Sequence, residues 1–246
     1  TATTATRFTE AGTRNGALNW SEDGSRVAWY RQTDGDPDAD ILIADPADPD
    51  SLQVALDGEG LMVPVDWSPD GEQLLILRYY SITHADLFTL DVDSGALDEI
   101  LPDLDVAYGG AQFAADGERV YAVTDHDSEF RRIIEITLAD DAIRAVTPDH
   151  GWDVEAMDLS PDGERLVYTI NEGGNETLLM IDPETGESLE TPELPLGLIG
   201  GLEFSPDGAR LGFTHTSARS PGDAWTYDIA SGALTRWTRS EVGGLD

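Results

Sequence analysis

Cysteine is absent from the 246 residues, and so is lysine: all 14 basic residues are arginine. Without thiols the chain holds no disulfide and no thiolate metal centre, although that alone does not fix its compartment. No hydrophobic run approaches the ~18–20 residues of a membrane-spanning helix, so no membrane partner is expected. No basic-then-apolar leader is visible, and the expected location is cytoplasmic. Amphipathic helical periods, linkers and low-complexity tracts are also missing, which excludes parallel α/β folds with their crossover helices. Against the 14 cations stand 49 acidic residues, for a net charge of −35. Such a surface repels nucleic acid.

What is present is a repeat. The phrase Trp67-Ser68-Pro69-Asp70-Gly71 recurs as Trp20-Ser21-Glu22-Asp23-Gly24, Phe113-Ala114-Ala115-Asp116-Gly117, Leu159-Ser160-Pro161-Asp162-Gly163 and Phe204-Ser205-Pro206-Asp207-Gly208. The Asp-Gly pairs begin at 23, 70, 116, 162 and 207, so the steps are 47, 46, 46 and 45 residues. A regular period of this length marks a repeat architecture. Each phrase reads as a turn: an apolar residue ends one strand, Pro presets φ, Asp tolerates the next position and Gly takes the left-handed conformation. By itself it carries no chemistry.

A strand rich in β-branched and aromatic residues follows every turn, as in Gln73–Tyr79 and Arg165–Ile170. Four short antiparallel strands per repeat predict an all-β protein, a β-propeller of five full blades in one domain. The blades span about 13–57, 58–102, 103–148, 149–194 and 195–239. The fourth strand of blade four is expected at Glu187–Thr191. Residues 1–10 read as one extra N-terminal strand, since Thr6-Arg7-Phe8-Thr9 resembles Thr235-Arg236-Trp237-Thr238. A lone leading strand has unpaired edges, so exposed or exchanged chain ends and homo-oligomers are expected.

The uniform Asp-Gly turns should share one bland side of the blades. The opposite side carries irregular loops, among them Gln32–Ala39, Ser81–His84, His126–Phe130, Glu172–Glu176 and Thr216–Asp223, and binding is expected there.

The chain resembles the N-terminal propeller of prolyl-oligopeptidase-family serine peptidases, the acylaminoacyl-peptidase and dipeptidyl-peptidase kind. Besides the turn phrase, the resemblance rests on Thr13-Arg14-Asn15-Gly16-Ala17, Tyr108-Gly109-Gly110-Ala111, Thr124-Asp125-His126-Asp127-Ser128-Glu129-Phe130, Trp152-Asp153-Val154-Glu155, Asn171-Glu172-Gly173-Gly174-Asn175 and Ser240-Glu241-Val242-Gly243-Gly244-Leu245-Asp246. The turn phrase alone also fits TolB-type propellers. The resemblance implies a partner α/β-hydrolase domain or chain, whose active site the propeller caps while admitting short peptides. It also implies residues that hold a substrate's N-terminus. The sequence departs from the family in having no Gly-x-Ser-x-Gly nucleophile elbow, and in showing five blades where seven or eight are usual. The expected function is a non-catalytic propeller that gates or orients peptide for a hydrolase. The alternatives are a free-standing TolB-like propeller that binds proteins, and a five-bladed glycosidase with paired channel carboxylates.

The candidate binding residues are Arg14, Tyr80, Asp125, Glu129, Arg131, Trp152, Glu155 and Glu172. The carboxylates could hold a peptide's ammonium group or pair with Arg131, Arg132 or Arg14. Tyr80 and Trp152 could meet substrate or pack between blades. The arginines suit a carboxylate ligand or inter-blade ion pairs. Asp34, Asp36, Asp38 and Asp40 alternate in one loop, but Ala39 and Asp45 stand where a calcium loop needs Gly and Glu, so a solvated loop is expected. No metal or cofactor is expected.

Acid spread over all five repeats favours adaptation to high salt, where screening falls to ~3 Å at 1 M. The melting temperature is therefore expected to rise from low to molar salt, and equal stability at both would count against this reading.

Overall fold

The Asp-Gly turns organise the local structure, and the reason is a hydrogen-bond cage. In four copies the Ser hydroxyl donates to the Asp carboxylate two residues on: Ser21 to Asp23 at 2.7 Å, and Ser68 to Asp70, Ser160 to Asp162 and Ser205 to Asp207 at 2.6 Å each. The same oxygen accepts the backbone N–H five residues on, from Arg26, Gln73, Arg165 and Arg210, at 2.8–3.0 Å. The third copy has Ala114 instead, and Asp116 itself accepts the Arg119 N–H at 3.2 Å. The five glycines take φ between 66° and 72°, where a side chain would strain the chain. The cage holds the carboxylates charged. The Ser25 N–H chiefly lowers Asp23, to about 2, and the Ser68 and Ser205 hydroxyls lower Asp70 and Asp207. At Asp116 and Asp162 burial opposes the same hydrogen bonding without overcoming it.

In this computed structural model the described residues are 7–102, 104–241 and 243. They form five antiparallel sheets and no helix. The first sheet holds β1 (Thr13–Trp20), β2 (Val27–Thr33), β3 (Ala39–Asp45) and β4 (Asp48–Leu56). The second holds β5 (Leu61–Trp67), β6 (Gln73–Ser81), β7 (His84–Asp91) and β8 (Leu97–Ile100). The third holds β9 (Tyr108–Phe113), β10 (Arg119–Thr124), β11 (Arg132–Thr137) and β12 (Ala142–Ala145). The fourth has β13 (Val154–Leu159), β14 (Leu166–Asn171) and β15 (Glu176–Ile181). The fifth has β16 (Leu198–Phe204), β17 (Arg210–Ser217), β18 (Ser220–Asp228) and β19 (Leu234–Arg236). Strands neighbour one another in chain order within every sheet, the meander of a propeller blade, so the five-bladed β-propeller predicted from the repeat is the observed fold class.

Three expectations are corrected. The fourth blade has three strands: Glu187–Thr191 makes only an isolated bridge, Ser188 to Ile181. Pro183, Pro192 and Pro195 bracket that segment, and proline has no N–H to give a ladder. Residues 7–10 form no strand, and residues 1–6 of the expected leading strand lie outside the described residues. The Ser81–His84 and Thr216–Asp223 loops are tight hairpins, because pairing runs out to Ser81–His84 and Ser217–Ser220.

Backbone contacts divide the chain into two compact units, Thr1–Val120 with Thr137–Ala142, and Tyr121–Ile136 with Ile143–Asp246. In the first unit, Ala28, Ile41 and Ile43 pack against Met62, Trp67, Leu74, Ile76 and Phe88 of the next sheet. In the second, Val167, Leu178 and Met180 pack against Leu211, Phe213 and Tyr227. Period-two strands supply these faces, and the burial of large side chains stabilises each join by about 1.5–3 kcal/mol per fully buried residue.

A polar latch recurs at each of these joins. The residue four before an Asp-Gly reaches the following sheet: Asn19 Nδ2 donates to Pro64 O at 2.7 Å, Asp66 accepts Phe113 N–H at 2.8 Å, and Asp158 accepts Phe204 N–H at 2.6 Å. The turns abut as well, with Pro69 against Gly117 and Pro161 against Gly208. Asp158→Ala removes the acceptor of a partly buried N–H and is expected to cost about 1–3 kcal/mol, with Asp158→Asn costing less. Urea unfolding at constant salt measures both.

Candidate functional site

The irregular connections of the second unit gather around Arg131, the residue that precedes β11. Its backbone N–H donates to Asp153 Oδ1 at 2.8 Å, and its carbonyl accepts Val154 N–H at 3.0 Å. Its guanidinium donates to Glu155 Oε2 at 2.9 Å and stands 3.7 Å from Asp153. Arg131 therefore ties the β10–β11 loop to the entry of β13. Glu176, at the start of β15, makes the matching tie to the next blade. Its N–H donates to Gly197 O at 2.8 Å and its Oε2 accepts Ile199 N–H at 2.5 Å. Burial raises the Glu176 carboxyl above its ordinary value, the Ile199 N–H opposes this, and the Glu155 charge adds to it. Glu176 thus feels the field of Glu155. Asp153 and Glu155 share one guanidinium, with the Glu176 carboxylate within the field of Glu155, so the cluster keeps an excess of negative charge.

The other candidates sit as follows. Trp152 is 44% exposed, its indole 3.9 Å from where a Cβ on Gly173 would stand. Gly173 and Gly174 turn the β14–β15 loop with φ of 65° and 95°. Glu172 is exposed in that loop and accepts the Thr177 hydroxyl at 3.3 Å. Asp125 opens the β10–β11 loop, its carbonyl accepting Ser128 N–H at 3.0 Å. The exposed Glu129 side chain has no partner among the described residues. Arg132, weighed as a partner for the carboxylates, instead donates to the His126 carbonyl at 3.1 Å.

Two candidates belong to the first unit. Tyr80 is half exposed on the β6–β7 hairpin, where its hydroxyl donates to Asp86 at 2.9 Å and its ring stacks on His84 at 4.8 Å. Arg78 donates twice to the same carboxylate, at 2.7 and 3.2 Å, so the hairpin holds Tyr80 in place. Arg14 is exposed on β1 and makes no ion pair among the described residues.

Three of the four aspartates of residues 34–40 are spent on structure. Asp36 accepts Asp38 N–H, Asp38 accepts Gly60 N–H at 2.7 Å, and Asp40 pairs with Arg31 at 2.6 Å. Sequence reasoning missed Glu176 and the buried Asp223. Asp223 binds the Arg236 guanidinium, the Thr238 hydroxyl and the Ser240 N–H at 2.5–3.0 Å. The Ser220 hydroxyl, first among these and other donors, holds its carboxyl far below the usual range. A partial signal existed: Asp38 and Glu176 stand at or beside the start of a blade's third strand.

Glu176→Gln keeps an acceptor for Ile199 N–H and removes the charge. The raised carboxyl costs stability wherever it is ionised in the fold, and nothing below the unfolded value of about 4.3. The variant is expected to melt higher than the parent at pH 7 and at the same temperature at pH 3, in thermal scans at constant salt.

The profile of the prolyl oligopeptidase N-terminal beta-propeller domain matches residues 26–240. No curated protein matches the sequence. Among solved structures, prolyl oligopeptidase B from Galerina marginata, bound to a 35mer hydrolysis and macrocyclization substrate, superposes with a TM-score of 0.74 at 16% identity, over 93% of this chain and 34% of that one. A puromycin hydrolase gives 0.74 at 17% identity over 94% and 39%, and TolB from Acinetobacter baumannii gives 0.70 at 16% identity over 93% and 55%. At such identities these structures share the fold. The chain spans 43% of the prolyl endopeptidase to which it is also similar. With a propeller of sequential antiparallel blades and a profile match over most of its length, the chain belongs to the prolyl oligopeptidase N-terminal β-propeller family.

Proposed function

We propose that this chain is a non-catalytic propeller that orients or gates peptide substrate for an α/β-hydrolase domain or chain. The observation that carries the reading is the pairing of Asp153 and Glu155 with the one guanidinium of Arg131, with Glu176 within the field of Glu155. Family membership supports it, since propellers of this family accompany such a hydrolase. A peptide's free α-ammonium group is the cation that fits. It would take the carboxylate oxygens that Arg131 and Ile199 leave unused, and Trp152 beside Gly173 offers an apolar wall to the first side chain. A carboxylate has about four lone-pair sites, so one protein donor does not saturate it. Holding the terminus fixes which bond lies at a given distance along the chain, which is positioning without chemistry.

A second reading is a TolB-like propeller that binds proteins. It draws on the β6–β7 hairpin, where Tyr79, Tyr80 and Ile82 are exposed on a scaffold braced by the Arg78–Asp86 pair.

A single titration separates the two readings. Peptides with free and acetylated N-termini are added to the chain, followed by calorimetry and by Trp152 fluorescence. Free-ended peptides should bind more tightly, lose that advantage in the Glu155→Gln/Glu176→Gln double variant, and weaken with salt. No peptide should be hydrolysed by the chain alone. Equal binding of acetylated peptides, or hydrolysis that survives purification controls, would overturn the proposal.

A further inference from the structure

The fourth sheet ends on a strand whose outer edge is only partly used. Backbone groups alternate sides along a strand. In β15 those of Asp182, Met180 and Glu176 point away from β14. Asp182 N–H donates to Glu187 O at 2.9 Å, Met180 O accepts Leu189 N–H at 2.8 Å and Glu176 N–H donates to Gly197 O at 2.8 Å. Leu178 stands in the same alternation, between these ties. Among the described residues its N–H and carbonyl have no partner on that side, and neither has the Met180 N–H. In the first, second and fifth sheets a fourth strand fills this place: β4 on β3, β8 on β7 and β19 on β18.

What passes over the open edge is a strap. Antiparallel counting from the Ile181–Ser188 bridge sets Thr191 opposite Leu178, yet Thr191 makes no bond there. Among the described residues, Glu190 to Leu194 neither donate nor accept a hydrogen bond. The strap is held at its ends, where Leu189 and Leu194 pack on the core that Leu178 and Met180 share with the fifth sheet, and Pro195 O meets His215 Nε2 at 2.9 Å. A segment without hydrogen bonds of its own costs little to move aside. An open strand edge is a template for an extended backbone. The charge around it is of one sign: Glu184, Glu187, Glu190 and Glu193 are exposed, and no basic residue occurs from Leu166 to Ala209.

We propose that the outer edge of β15 takes up an extended, cationic peptide segment as the missing fourth strand, with the strap swung aside. The residue of that segment opposite Leu178 donates its N–H to Leu178 O and accepts Leu178 N–H. Paired residues of neighbouring strands share a face. This residue is therefore apolar and lies with Leu178 and Met180 on the core, in the place of Leu194. Its two neighbours point the other way, as the exposed Thr177 does, and carry the positive charge that the surrounding acids attract.

The probe is acetylated and amidated Val-Arg-Val-Arg-Val, added to the chain in low salt, with hydrogen exchange followed by NMR. In the free chain the Leu178 amide should exchange faster than that of Leu179, whose backbone groups face β14 beside Tyr168. The probe should slow the Leu178 amide about tenfold or more, as pairing into a ladder does. The same peptide N-methylated at its central valine should not, and neither should one with glutamate in place of arginine. Glu190→Gln/Glu193→Gln should weaken binding about fivefold, as loss of two exposed ion pairs does; both side chains are exposed, so circular dichroism should be unchanged. The blocked ends keep the probe off a site for a free terminus, and Trp152 fluorescence should not respond, so this inference and the peptide-terminus reading fail separately. A Leu178 amide protected in the free chain would overturn the proposal, because the strap or a second copy then already fills the edge. Equal protection by the N-methylated or the acidic peptide, or none by any of the three, would overturn it too.

Discussion

A side chain four residues ahead of three of the Asp-Gly turns reaches over to the next sheet, and the packing of these sheets depends on that hydrogen bond. Hydrophobic burial draws sheets together but has no direction. Ala28, Ile41 and Ile43 could slide against Met62, Leu74 and Ile76 with little change in buried area. Asn19 on Pro64, Asp66 on Phe113 and Asp158 on Phe204 remove that freedom, because each fixes one backbone group of the next sheet. Spacings of 45, 47 and 46 residues in these bonds are the repeat period seen in three dimensions.

The same economy governs the acid. In a chain with so few cations, most turn and loop carboxylates accept backbone N–H groups. Asp23, Asp70, Asp162 and Asp207 do so in the turns, Asp38, Asp153 and Glu176 do so where one blade passes to the next, and Asp223 does so on the segment after the last strand. These bonds make the acid a component of the scaffold. The cluster at Arg131 differs because two carboxylates, Asp153 and Glu155, meet one guanidinium, and Glu176 is held partly out of water within the field of Glu155. That local surplus is what singles it out among 49 acidic residues.

Turn chemistry and strand composition are local, and they were legible in the chain itself. Five Ser/Ala-x-Asp-Gly reversals, the strand after each and the all-β class follow from φ preferences and β-branched runs that act within a few residues. The limits were equally local in origin: Pro183, Pro192 and Pro195 deny the fourth blade its last strand, a cost visible in the sequence yet outweighed there by the pull of the repeat. Which acids face one another was decided only by the folded chain. Arg131 meets Glu155 from 24 residues away and Glu176 meets Ile199 from 23 away, while Glu172 and Glu129, of the same type on the same loops, point to water. An ion pair depends on distance in space, and neither composition nor period encodes that distance until the sheets have packed.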